Sequence, residues 1–327
     1  MDLRAPLTFR PAYQTLVWGG RRLQQWRQDL PPGPIGESWD LADHERGMSV
    51  VAQGPLAGRT LRQLVVEAGP ALVGAGFRGG VFPLMVKMID AADHLSVQVH
   101  PDDATASILG AGARGKTECW VILSDGGVLF QGTRPGVSRE AFELALVDHT
   151  LAATLNRFEG RAGDVFFIEA RTVHALGEGC LLYEIQQTSD TTFRVYDWDR
   201  MGLDGRPRPL HVAESLATID FSRTGFGPLR PAWRTDSASG IASRSLVTCP
   251  YFAVEQFRIS AGATLRRLTP DTCAVVTCID GRGVLATDGG ALPLVPLQTA
   301  LLPAACGVWQ ARSDSATLDL LVATPRF

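Results

Sequence analysis

Hydrophobic and polar positions alternate along this chain in short runs, and most runs carry the two-residue period of strands. Residues 1–58 set brief apolar alternations among Pro, Gly and Trp, which predicts short strands and turns. Thr60-Leu-Arg-Gln63 has the form of a capping box ahead of Leu64, Val65 and Val66, so a helix is expected there, ending before Gly69-Pro70. Residues 82–89 form an apolar run broken by Lys87, the pattern of a buried strand. Pro101-Asp102-Asp103 opens a short helix. Residues 120–123 and 128–131, separated by Ser-Asp-Gly-Gly, predict a hairpin. From 138 to 158 the period turns helical, with Phe142, Leu146, Leu151 and Leu155 among charged residues, which predicts one or two helices inserted between strands. Strands resume at Asp164, continue through 179–187 and recur after Ser189, and 211–221 reads as a short helix. Residues 222–245, rich in Gly, Pro, Arg and Ser, read as a linker; strands alone are expected beyond it, at 252–259, 273–279, 284–286, 299–302 and 318–323.

The expected architecture is mainly β: two β-barrel domains, residues 1–230 with a small helical insertion at about 138–158, and residues 240–327. At 327 residues the chain has enough length for two cores. A net charge of −3 and the absence of any basic run give no electrostatic reason to bind nucleic acid or an anionic membrane surface. No apolar stretch approaches the ~20 residues of a membrane span, and the start lacks the layout of a signal peptide. The six cysteines contain no Cys-x-x-Cys and sit mostly in apolar runs, as small buried hydrophobes of a reducing compartment; the cytoplasm is the expected location.

Chemistry concentrates between residues 95 and 122. Gln98 and His100 are two apart in Leu95-Ser-Val-Gln-Val-His-Pro-Asp102, so a strand turns both to one face. A second strand brings Glu118, with Lys116 two residues earlier on the same face. An amide oxygen, an imidazole and a carboxylate make three-quarters of a divalent metal site. Of the six histidines, at 44, 94, 100, 149, 174 and 211, His174 is the best placed to complete it, at the start of a strand after a turn and a bend. Each residue alone fits an ordinary structural role. Burying Gln, His, Glu and Lys together without a metal would cost several kcal/mol, which favours the joint reading. No histidine follows residue 211, so one centre, in the first domain, is expected.

Five segments then carry a family resemblance: Gly36-Glu-Ser-Trp39, Leu84-Met-Val-Lys-Met-Ile-Asp90, Leu95 to Asp102 as above, Gly115-Lys-Thr-Glu118 and Thr192-Phe-Arg-Val-Tyr-Asp-Trp-Asp-Arg200. In their order and spacing the chain resembles the type I mannose-6-phosphate isomerases in their short bacterial form, and its Ile279-Asp-Gly-Arg-Gly and Leu302-Pro-Ala stretches are similar to cupin domains. The resemblance implies two cupin-like jelly-roll barrels and a metal-dependent interconversion of mannose 6-phosphate and fructose 6-phosphate through an enediol. It implies Gln98, His100, Glu118 and His174 as ligands of one Zn2+ per chain, with Mn, Co or Fe(II) as substitutes. Lys116, Arg194 and Glu184 are implied as catalytic, with the proton-transfer base open between Glu184, Lys116 and metal-bound water. Ser96 and Lys87 are implied as phosphate-binding; a lysine within a buried strand calls for an anion beside it. Glu37 and Trp39 resemble pocket-lining positions, for which a strand-core role is an equal alternative. The expected partner is a hexose 6-phosphate, on a monomer or homodimer. Three residues depart from the family pattern: Arg171 where Gly is common, Phe193 where Tyr is frequent and Cys119 where Met is common. The alternative is a non-catalytic metal-dependent sugar-phosphate-binding cupin, which would ordinarily lack Lys116, Glu184 or Arg194.

Overall fold

Antiparallel pairing organises the short strands into three sheets in the computed structural model, which describes residues 1–110, 112–269 and 271–327. Two compact units divide the chain: Tyr13–Ser38 with Lys87–Leu229, and Met1–Ala12 with Trp39–Val86 and Arg230–Phe327. The expected single division near residues 230–240 therefore meets an exchange of segments. Leu7–Arg10 pairs with Thr299–Leu302, Leu7 opposite Leu301, a non-local pairing that no local pattern announces.

The unit built on Tyr13–Ser38 and Lys87–Leu229 carries two sheets. The six-stranded sheet runs in the order Val165–Ile168, Glu118–Ile122, Leu181–Gln187, Leu84–Asp90, Ile35–Leu41, Ala12–Gly20. The five-stranded sheet runs Phe193–Tyr196, Val97–Val99, His174–Leu176, Val128–Thr133, Leu155–Glu159. Apolar side chains that include Trp18, Ile89, Trp120, Phe166 and Leu182 form one core cluster, and Val97, Val99, Phe130, Phe142 and Val195 belong to a second. The other unit is built on a ten-stranded sheet whose core gathers Phe257, Leu265, Val276, Trp309 and Leu320. The fold is mainly β and cupin-like, with sheets that do not close into the expected barrels.

Local signals at helix ends hold. Leu61–Ala68 is a helix with the full Thr60/Gln63 capping box, and Asp103–Leu109 is capped by Asp102, which accepts from the Thr105 amide. Three expectations are corrected. The strands either side of Ser124-Asp-Gly-Gly127 do not pair as a hairpin but enter different sheets. Leu123 N–H donates to Leu181 O and Val128 N–H to Glu178 O, and Gly127 packs so closely on Cys180 that a Cβ there would lie 2.7 Å from its Sγ. The helical insertion is shorter than 138–158: Arg139–Val147 is helix and Leu151–Thr154 a 3-10 turn, whereas Leu155–Glu159 is a strand paired with Val128–Thr133. The linker also ends early, since Arg234–Asp236 and Ile241–Thr248 pair as strands. No helix of the described residues is long and apolar enough to cross a membrane.

Candidate metal and catalytic site

Gln98, His174 and Gln131 stand opposite one another on adjacent strands of the five-stranded sheet, and Arg194 stands opposite Gln98 on its other side. Directly opposed residues share a face, so the row Arg194, Gln98, His174 is built by register. His100 follows at the end of the Val97–Val99 strand, on the same period of two. The six-stranded sheet contributes Glu118 and Trp120 from one strand and Glu184, opposite Trp120, from the next.

Of these side chains, His100, Glu118 and His174 converge. His174 Nε2 lies 3.3 Å and His100 Nε2 3.5 Å from Glu118 Oε1, and the ligating atoms of the three residues all fall within 4.8 Å of one another. For ligands at ~2.0–2.1 Å from a tetrahedral ion, neighbouring donor atoms are about 3.4 Å apart, which is the spacing each histidine already holds to Glu118 Oε1. Each imidazole is oriented from behind. His174 Nδ1 is 2.8 Å from Thr172 O and His100 Nδ1 2.9 Å from Thr191 O, so each Nδ1–H donates to a carbonyl and leaves Nε2 a lone pair toward the centre. Burial, aided at His100 by the Lys116 charge, pushes His100 down to about 3 and lowers His174, so both rings are neutral as ligation requires. Glu118 is buried, and its Oε1 has no hydrogen-bond donor among the described residues. Burial works against its charge, yet the Lys116 ammonium at 2.7 Å from Oε2 holds its carboxyl well below the usual range. A buried carboxylate oxygen without a donor, faced by two lone pairs, fits a cation.

Gln98 is half-buried, with its amide nitrogen 3.3 Å from His174 Nε2 and its Oε1 accepting from the Ser96 hydroxyl at 3.3 Å. A half-turn of the amide brings the oxygen to the centre without moving any other atom. Ser96 thus touches the proposed ligand. Lys116 Nζ, buried, lies between Glu118 Oε2 and His100 Nε2, 3.1 Å away.

A row of charge continues across the six-stranded sheet. Lys87 Nζ is 3.4 Å from Glu37 Oε2 and 3.5 Å from Glu184 Oε1, and Trp120 Nε1–H donates to Glu184 Oε2 at 2.9 Å. Burial opposes the Lys87 charge, but Glu37, Glu184 and Glu118 together push it up to about 12. Burial and the charge of Glu118 push Glu184 up to about 7 against both lysines. Glu184 Oε1 is left without a hydrogen-bond donor among the described residues. Arg194 is half-buried and donates through Nη1 to Pro209 O at 2.8 Å; its Nε is buried without a partner. Trp120 as the partner of Glu184 escaped the sequence reading, although its place two residues after Glu118 puts it on the same face. Two carboxylates of the protein itself, Glu37 and Glu184, face the buried Lys87 ammonium.

Residues 7–117 match the family described as phosphomannose isomerase type I, catalytic domain, and residues 242–317 match the mannose-6-phosphate isomerase cupin domain. The mannose-6-phosphate isomerase ManA of Bacillus subtilis is 33% identical over 305 residues, covering 92% of this chain and 94% of that protein. The chain belongs to the type I phosphomannose isomerases. The mannose-6-phosphate isomerase of Streptococcus mutans is likewise 33% identical over 94% of this chain and 96% of its own. The crystal structure of a Bacillus subtilis mannose 6-phosphate isomerase superposes with a TM-score of 0.88 at 29% identity, covering 98% of this chain and 99% of that one. A zinc-bound mannose 6-phosphate isomerase shares the fold at a TM-score of 0.75 and 18% identity, over 98% and 100% of the two chains. Within this family the departure at Arg171 has a clear geometry. Its φ is +72°, the left-handed region, and it donates from its backbone N–H to His100 O at 2.7 Å and from Nε to Thr218 O at 3.2 Å. The residue common in the family would adopt that φ without strain; here the side chain ties the turn before His174 to its neighbours instead.

Proposed function

We propose that this phosphomannose isomerase site interconverts mannose 6-phosphate and fructose 6-phosphate by proton transfer between C2 and C1 of the open-chain sugar. The observation that carries the reading is the meeting of His100, Glu118 and His174 with a buried carboxyl, Glu184, that keeps one oxygen without a donor. Gln98, His100, Glu118 and His174 would hold a divalent metal, for which we propose zinc, with Mn, Co or Fe(II) as substitutes; a zinc-bound protein of the same fold supports that choice. Such an ion, when bound, supplies Lewis-acid polarisation of the sugar oxygens and so raises the acidity of the adjacent C–H.

Glu184 is the proton carrier in this reading. Its carboxylate takes the proton from C2, leaving an enediol, and its acid form returns the proton to C1; a second proton passes from O2 to O1. A carboxyl raised to about 7 suits both directions, because it accepts and releases a proton near neutral pH. Lys116, engaged with Glu118 at 2.7 Å, acts as a stationary cation beside the developing oxyanion, and Arg194 adds a guanidinium that stays protonated and binds oxygen by two points. Ser96 orients the Gln98 amide; a share in phosphate binding for Ser96 stays part of the proposal. Lys87 serves Glu184 more directly than it serves phosphate, since two carboxylates already face its ammonium. We place the protein in the cytoplasm, which six free buried cysteines support, and read it as a monomer or homodimer.

Coupling fructose 6-phosphate formation to an absorbance change tests the function. Removal of metal with a chelator is expected to abolish turnover and added zinc to restore it. Full turnover in a preparation shown by mass spectrometry to contain no metal would overturn the reading.

A further inference from the structure

Lys87 is 5% exposed and stands on the strand between those of Glu37 and Glu184. Its ammonium is 3.4 Å from one carboxylate and 3.5 Å from the other. Both separations exceed the ~2.7–2.9 Å of a charge-assisted N–H···O bond. Both also exceed the 2.7 Å at which Lys116 meets Glu118 in the same site. The ammonium is thus held between two negative oxygens, with a hydrogen-bonding share to Glu37 and a purely charge-based one to Glu184. The other oxygen of Glu184 is already taken by the Trp120 indole N–H, so Oε1 is the oxygen left for chemistry. A lysine closed onto Oε1 would occupy its lone pair and resist every proton that the carboxylate has to accept.

We propose that Glu37 is a positioning residue for the isomerisation: its carboxylate draws the Lys87 ammonium back from Glu184 and so keeps Glu184 Oε1 available to carry the substrate proton. This rests on the isomerase reading above, with Glu184 as the carrier. In this proposal Glu37 acts through Lys87. The three charges sum to −1, and neutralising Glu37 leaves Lys87 and Glu184 as a balanced pair, so the fold is expected to survive the change.

Glu37→Gln and Glu37→Asp separate this role from packing. Gln conserves size and hydrogen bonding and loses the charge, whereas Asp keeps the charge and loses a methylene. If Glu37 acts by charge, Glu37→Gln lowers kcat about tenfold with KM within about twofold, and Glu37→Asp retains more activity than Gln. The primary isotope effect on kcat with mannose 6-phosphate deuterated at C2 rises in Glu37→Gln, because proton transfer is the step that slows. Metal content, measured by mass spectrometry, stays at the wild-type level. A Gln variant as active as the Asp variant or more so, the order expected of a packing residue, overturns the proposal. A fall in kcat with an unchanged isotope effect overturns it as well. Wild-type turnover in the same assay keeps the two readings apart: its absence defeats the isomerase reading, and its presence beside an undiminished Glu37→Gln defeats only the role of Glu37.

Discussion

Replacing Glu184 by Gln removes the proton-carrying oxygen and little else. The amide is the size of the carboxyl, and its carbonyl can still accept the Trp120 indole N–H that Glu184 Oε2 receives at 2.9 Å. Lys87 retains Glu37 at 3.4 Å, so the buried ammonium is not left alone. Of the residues that would hold the metal, none is touched, and the Lys116–Glu118 pair at 2.7 Å stays in place. The loss should therefore fall on the chemical step. General acid–base catalysis by one positioned group contributes roughly 10²–10⁴ in rate, about 3 to 5 kcal/mol at ~1.36 kcal/mol per factor of ten. Glu184→Gln is expected to lower kcat by that factor with KM changed no more than about threefold, because ground-state contacts to the sugar survive. The coupled absorbance assay measures both, and metal content by mass spectrometry shows that the site is still loaded. Exchange of the C2 proton with deuterated solvent should fall in parallel. A kcat within tenfold of wild type in fully loaded protein would refute Glu184 as the carrier and return the role to Lys116 or to bound water.

Two further outcomes follow from the same geometry. In metal-stripped protein Glu184 is raised from 4.5 to about 7, chiefly by burial; a carboxyl raised in the folded state binds its proton more tightly than in the unfolded chain, so wild type should lose stability relative to Glu184→Gln as pH climbs from about 4.5 to about 7. Melting curves of the two proteins across that window check it, and a constant difference would refute it. Arg171→Gly relieves a left-handed φ of +72°, worth ~1 kcal/mol, but gives up the bond to Thr218 O, also ~1 kcal/mol, and adds freedom to the unfolded chain worth ~0.4–1 kcal/mol. The net expectation is a destabilisation of about 1 kcal/mol or less by urea unfolding; a loss above ~3 kcal/mol would mean that the guanidinium holds the turn before His174 far more strongly than its contacts imply.

The parts of this site that were legible in the chain are those generated along a strand. Gln98 with His100, and Lys116 with Glu118, share faces because side chains two apart must. The capping residues Thr60 and Asp102 are local in the same sense, and both do at their helix ends what their chemistry demands. The parts that stayed hidden run across strands. That Gln98 lies opposite His174, and Arg194 opposite Gln98, is a matter of register between segments separated by 76 and 96 positions, and no alternation within either segment specifies it. The Ser124–Gly127 turn misled for a related reason: Gly-Gly chemistry reports that the chain reverses, but whether the next strand pairs with the last or crosses to the other sheet depends on what waits there. Here Cys180 sits against Gly127 and the crossing wins.

Lys87 shows how such a gap shapes a functional reading. A lysine inside a wholly buried strand requires a counter-charge, and with one strand in view the natural source is the substrate. Once Ile35–Leu41 and Leu181–Gln187 flank it, the counter-charges are Glu37 and Glu184, supplied by the sheet itself. The same need arises at the centre, where Glu118 Oε1 has no donor among the described residues. Its neighbours offer two lone pairs and a cation already spent on the other oxygen. Glu184 Oε1 shares that lack of a donor, but only Glu118 Oε1 also has both imidazole Nε2 atoms within 3.5 Å, and a bound metal would answer all three at once.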